Sequence, residues 1–202
     1  MKSMLSTALL VVLLGSPGVL VAQDKKSDAV VGKVKPAKTV VIGADAPEFR
    51  IKDSSGKEID LTKLSAKGPV LVRLTCGCLG CDRELPYFQA LHKAYKKDGI
   101  RLVAIFAEPD EKFAKYAKSK QFKMQYALDP KRNSWKTFGT KTMPSNFLIG
   151  KGGKVIAISK GCDPSGLIAR NLGDKTATLV KAEKVDIKSQ VDKNRKPVVQ
   201  KK

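Results

Sequence analysis

Three of the four cysteines stand in one hexapeptide, Cys76-Gly-Cys-Leu-Gly-Cys81, between the apolar run 69–75 and Asp82-Arg83-Glu84-Leu85-Pro86. That position constrains the fold more than any other feature of the chain. Pro69-Val-Leu-Val-Arg-Leu-Thr75 reads as a buried strand. Arg83 to Lys97 reads as a helix, with Leu85, Phe88, Leu91 and Tyr95 at helical spacing. The cysteines therefore fall at a strand-to-helix junction, where the positive end of the helix dipole favours a thiolate. The thiolate is the form that attacks disulfides. Cys78 and Cys81, in Cys-x-x-Cys spacing, thus point to thiol–disulfide exchange.

The rest of the chain supplies a matching frame. Arg50-Ile-Lys52 and Glu58 to Leu61 flank the turn Asp53-Ser-Ser-Gly-Lys57 and predict a β-hairpin. A short helical turn opens at Asp60 or Thr62. Ile100 to Phe106 predicts a second buried strand, and Pro109 to Gln121 a helix carrying Phe113, Tyr116 and Ala117 inward. A short strand at Tyr126-Ala-Leu128 and a short helix from Lys131 to Phe138 follow. Asn146-Phe-Leu-Ile149 and Lys154 to Ser159 form a hairpin across Gly150-Lys-Gly-Gly153. Pro164 to Leu172 closes the series as a helix. Strands alternating with helices, then a hairpin, imply an α/β domain: a central mixed β-sheet flanked by helices, with an N-terminal β-hairpin extension.

Four segments are expected. Residues 1–22 read as a signal peptide, from Lys2, the apolar run Met4 to Leu14 and small Ala22 before Gln23. An uncleaved membrane anchor is the alternative, and either form exports the domain to the periplasm or beyond. Residues 23–39 read as a flexible linker, 40–175 as the folded domain and 176–202 as a basic, disordered tail. The formal charge is +20, from 39 Lys and Arg against 19 Asp and Glu. Export, and lysines spread without interleaved aromatics, argue against nucleic acid and for contact with an anionic surface. An exported domain meets an oxidising milieu, so a Cys-x-x-Cys pair there needs a redox partner to recycle it or serves as an oxidant.

The chain resembles the thioredoxin-like family, most closely its exported TlpA/ResA-type members, which share an N-terminal extension with the AhpC/TSA redoxins. The resemblance is carried by Gly43-Ala-Asp-Ala-Pro-Glu-Phe49, by Asp53, Gly56 and Lys57, by Cys78-x-x-Cys81-x-x-Glu84-x-Pro86, by Thr142-Met-Pro-Ser-Asn-Phe-Leu-Ile149 and by Gly152-Gly153-Lys-Val155. Gly77 replaces the family's usual Trp, and Leu79-Gly80 its usual dipeptide with Pro. The resemblance implies a thiol–disulfide oxidoreductase acting on substrate proteins that carry disulfides or thiols. No cofactor and no metal are implied.

Within it, Cys78 is the expected nucleophile and Cys81 the resolving thiol, close enough at a helix start to close a disulfide. Glu84, one turn beyond Cys81, is expected to exchange a proton with it. Pro144 is the expected cis-proline that lets Met143 pair with a substrate strand, and Gly161 borders the groove. Pro86 kinks the helix. Cys76 and Cys162 are accessory thiols. Cys162 follows a strand whose end lies level with Pro144, near enough to Cys76 or Cys78 for a second disulfide, a resolving role or soft-metal ligation. Cys-x-Cys-x-x-Cys suits Cu(I) or Zn(II) thiolate binding as well. Two alternatives stay open: a peroxiredoxin-like peroxidase, favoured by Thr75-x-x-Cys78 but opposed by Leu71 in place of that site's proline, and a Cu(I)-binding or delivery module.

Overall fold

The computed structural model describes residues 39–194; the expected signal peptide, nearly all of the expected linker and the last eight residues lie outside them. Its elements are β1 (Arg50–Lys52), β2 (Glu58–Asp60), α1 (Leu61–Lys67), β3 (Val70–Thr75), α2 (Leu79–Tyr95), β4 (Arg101–Phe106) and α3 (Asp110–Ser119). They continue with β5 (Gln125–Leu128), α4 (Asn133–Thr137), β6 (Ser145–Ile149), β7 (Val155–Lys160), α5 (Leu167–Val180) and α6 (Ile187–Asn194). β1 and β2 form a two-stranded antiparallel sheet, the expected hairpin. Asp53 ties its turn by accepting from the backbone N–H groups of Ser55 and Lys57.

The main sheet has the order β5-β4-β3-β6-β7. β3, β4 and β5 run parallel, while β6 runs antiparallel to both β3 and β7. Because side chains alternate across a strand, β3 feeds two cores. Val70, Val72 and Leu74 join Phe49, Ile51, Ile59, Trp135, Phe138 and Phe147 on one face. Leu71 joins Phe88, Leu91, Tyr95, Leu102, Leu148 and Leu172 beneath the helices of the other. Arg73, on that second face, is the exception to the apolar rule and is buried.

Two boundaries differ from expectation. α2 begins at Leu79, four residues before Arg83, with Cys78 as its N-cap and the Asp82 N–H donating to the Cys78 carbonyl at 2.9 Å. The cysteine loop is thus the first turn of the helix. Pro86 lies inside α2, where it cannot donate to the Asp82 carbonyl.

The expected tail from residue 176 also needs correction. α5 continues to Val180, and α6 packs against α2 and α5. Ile187 and Val191, one turn apart, are buried among Leu91, Tyr95 and Leu172. The Val185 N–H donates to Tyr95 Oη at 2.9 Å, and Tyr87 Oη donates to Asp192 at 2.6 Å. A sparse apolar stripe suffices here because α2 offers it a ready-made face; composition alone hides it. No helix among the described residues is long and apolar enough to cross a membrane.

Candidate active site

Parallel β3 and β4 deliver their C-terminal ends to one edge of the sheet, and antiparallel β6 and β7 bring their start and end to the same edge. Thr75 ends β3, so Cys76, Gly77 and Cys78 bridge directly into α2. The Cys76 and Cys78 sulfurs are 2.7 Å apart, and Cys76 and Cys81 3.4 Å. All three Sγ atoms lie within 4.8 Å of one another. Cys78 is exposed, Cys76 intermediate and Cys81 buried, and all four cysteines of the chain are free thiols.

Burial and hydrogen bonding divide the three thiols. At Cys78 burial pushes the thiol up, but donation from the Cys76 thiol, the Cys81 and Gly80 N–H groups and the Cys81 thiol together brings it below its ordinary value. The helix N-terminus and its neighbouring thiols therefore favour a thiolate at the exposed sulfur. Burial, followed by donation to Cys78, pushes Cys76 well up. Burial also raises Cys81.

The other expected residues converge on this edge. The Met143–Pro144 peptide is cis, as expected. The Gly161 N–H donates to the Pro144 carbonyl at 2.8 Å, and Ser145 pairs with both Leu74 and Lys160. Met143 is half-buried against the core below. Cys162 follows Gly161 and hangs over the cysteine loop: a Cβ on Gly80 would lie 3.1 Å from its sulfur. Gly80 thus leaves the space that Cys162 occupies. Leu79, between the two cysteines of the pair, is 68% exposed.

Glu84 is placed differently from expectation. It is 1% exposed, and both carboxylate oxygens are engaged away from Cys81. Oε2 accepts from Arg73 Nη2 at 2.8 Å, and Oε1 accepts from the Asp163 N–H at 2.8 Å. Arg73 also donates to Asn146 Oδ1 at 3.0 Å and lies 3.9 Å from the Phe88 ring centroid. A charge buried in a strand is tolerated only with such partners. The pair therefore bolts β3 and α2 to the loop that carries Cys162; after burial, the Glu84 charge raises the Cys162 thiol and the Arg73 charge opposes it.

Two residues the sequence reading passed over complete the site. Glu108 follows β4, and its Oε1 accepts from the Gly77 N–H at 2.7 Å, fixing the glycine between Cys76 and Cys78. Its second oxygen is buried without a partner among the described residues. Arg73 is the other, and its signal was a lone charge in an apolar strand. Glu108's signal was its position, just past the end of a strand parallel to β3.

Comparison with known proteins agrees with this geometry. The AhpC/TSA family model matches residues 42–158. The thiol-disulfide oxidoreductase ResA of Bacillus thuringiensis subsp. konkukian is 36% identical over 121 residues, spanning 59% of this chain and 70% of that protein. Among solved structures, a protein assigned as thiol:disulfide interchange protein DsbE from Chlorobium tepidum superposes with a TM-score of 0.63 at 24% identity, over 70% of this chain and 99% of that one. Peroxidoxin BcpB from Mycobacterium tuberculosis reaches 0.55 at 23% identity, over 69% and 96%. The shared fold therefore spans both chemistries and by itself selects neither.

Proposed function

The chain belongs to the AhpC/TSA family, in its ResA-type thioredoxin-like branch, a thiol-disulfide oxidoreductase, and from that premise we propose that Cys78 is its nucleophile and Cys81 its resolving thiol. The Cys78 thiolate attacks one sulfur of a substrate disulfide. A mixed disulfide forms and the other substrate sulfur leaves as a thiolate. Cys81 then attacks Cys78 Sγ, closing the Cys78–Cys81 disulfide and releasing the second substrate thiolate. The observation that carries this reading is the placement of Cys78: exposed, at the N-cap of α2, with its thiol lowered.

Substrate polypeptide runs past the edge formed by Met143, Pro144 and Gly161, with exposed Leu79 as an apolar contact. Glu84 is a positioning residue that acts through Arg73 and the Asp163 loop. The protein is exported by the segment 1–22, works on exported proteins bearing disulfides or thiols, and is recycled by a dedicated redox partner. Its excess of basic residues favours an anionic surface.

The test is reduction of insulin by the reduced full-length chain, with Cys78→Ser beside it, together with a glutathione titration of the pair. The expected result is turnover lost in Cys78→Ser and a reversible Cys78–Cys81 couple. A chain that forms no such disulfide, or that reduces insulin equally well without Cys78, would sink the reading. A couple near about −250 mV or below marks a reductant, and one near about −120 mV an oxidant.

A further inference from the structure

A Cys-x-x-Cys oxidoreductase needs two thiols, and this site holds a third in contact with both. Cys76 Sγ lies 2.7 Å from Cys78 Sγ and 3.4 Å from Cys81 Sγ, so it sits at the centre of the cluster. The spacing is tight for a metal cage. Sulfurs bound to one zinc at about 2.3 Å stand about 3.8 Å apart. It suits sulfur-to-sulfur attack, which ends with a bond of about 2.05 Å. Gly77 separates the two cysteines, and its N–H is anchored by Glu108, which holds the turn in place.

Resting on the reading above, we propose that Cys76 is a third redox thiol, which resolves the mixed disulfide at Cys78 and passes the new disulfide on to Cys81. In the first step the Cys76 sulfur attacks Cys78 Sγ, and its thiol proton passes to the leaving substrate sulfur. The Cys76–Cys78 bond forms, the bond from Cys78 to substrate breaks, and the substrate sulfur leaves with the electron pair and takes up that proton. In the second step the Cys81 thiolate attacks Cys78 Sγ. The Cys78–Cys81 bond forms, the Cys76–Cys78 bond breaks, and the Cys76 sulfur leaves with the electron pair and takes up a proton. The substrate has gained two electrons and the protein has lost two, so no outside oxidant is needed. The oxidised centre then carries the Cys78–Cys81 disulfide of the proposed function, and Cys76 returns to a free thiol.

The experiment loads Cys78 of the reduced full-length chain with a stoichiometric amount of 5,5′-dithiobis-(2-nitrobenzoate). It follows release of the first and second thionitrobenzoate in wild type, Cys81→Ser and Cys76→Ser/Cys81→Ser. The expected result is a second release from Cys81→Ser within about tenfold of the wild-type rate, about hundredfold slower in the double variant, with a Cys76–Cys78 disulfide mapped by mass spectrometry. An adduct that persists in Cys81→Ser as it does in the double variant overturns the proposal, as does a disulfide to Cys162 in its place. Should Cys81→Ser not fold, disulfide mapping of partly oxidised wild type decides: Cys76 bonded to Cys78 supports the relay, and Cys76 alkylated in every molecule overturns it. Failure of Cys78 to take up the first group is a different outcome and would sink the function itself.

Discussion

Two ion pairs flank the cysteine loop from opposite faces of a single turn of α2, each with nitrogen and oxygen 2.8 Å apart. Glu84 meets Arg73 in the core, where the two side chains are 1% and 2% exposed. Asp82 meets Lys120 at the surface, at 22% and 39% exposure, and also accepts from Tyr116 Oη. Equal distances hide unequal energetics. The surface pair is screened by water, and its loss costs about 0–1 kcal/mol. The buried pair gains little net energy when formed, because both charges are desolvated, yet breaking it leaves a charge stranded. The inner acid thus acts as a structural bolt and the outer one as a surface contact, although they lie two residues apart.

The comparison can be broken most directly at Glu84. Glu84→Gln should lose about 3–5 kcal/mol in urea denaturation, since Arg73 keeps its charge without a counter-ion. A loss under about 1 kcal/mol would make the two pairs equivalent. Replacing both partners, Arg73→Met with Glu84→Leu, should recover at least about 2 kcal/mol of that loss if desolvation is the issue.

The thiols sharpen the contrast. Cys78 lies below its ordinary value of 9.0, and Cys162 lies above it, raised by burial and then by Glu84. Iodoacetamide should therefore modify Cys78 first near neutral pH, its rate rising with pH through the lowered value. By the same sign, the Cys78 thiolate contributes stability to the reduced fold that is fully present above the unfolded value and is lost as pH falls through the folded one. Glu84→Gln should speed alkylation of Cys162 and leave the Cys81 titration in place; a Cys81 titration that moves instead would return Glu84 to direct proton exchange with Cys81. The smallest effect is expected at Asp82→Asn, under about 1 kcal/mol and fading in high salt. There the Tyr116 phenol, held up by burial and then by Asp82, should titrate lower in its ultraviolet absorbance.

Much of this was legible in the chain. The mixed sheet, the hairpin from Arg50 to Asp60, the cysteine loop at a strand-to-helix junction and the cis bond before Pro144 all follow from local pattern or resemblance. The tail was misread because Ile187 and Val191 are too few to mark a helix by composition; they count only against the face that α2 presents. Glu84 was placed correctly on the helix, but its bonds to Arg73 and the Asp163 N–H were not foreseen, because the helix period says which residues share a face and not which charge a neighbouring strand holds.

The sequence by itself determined the class of chemistry, since Cys-x-x-Cys at a helix start is a local arrangement set by three residues of spacing. It also determined the alternation of strands and helices, which hydrophobic period dictates. Only the tertiary structure decided which thiols meet and which charges are buried. Arg73 finds Glu84 and Asn146, Glu108 finds Gly77, and Cys162 finds the gap at Gly80 through contacts between residues far apart in the chain. Those contacts exist because four strand ends are brought to one edge of the sheet, and no local pattern records which side chains will face one another there.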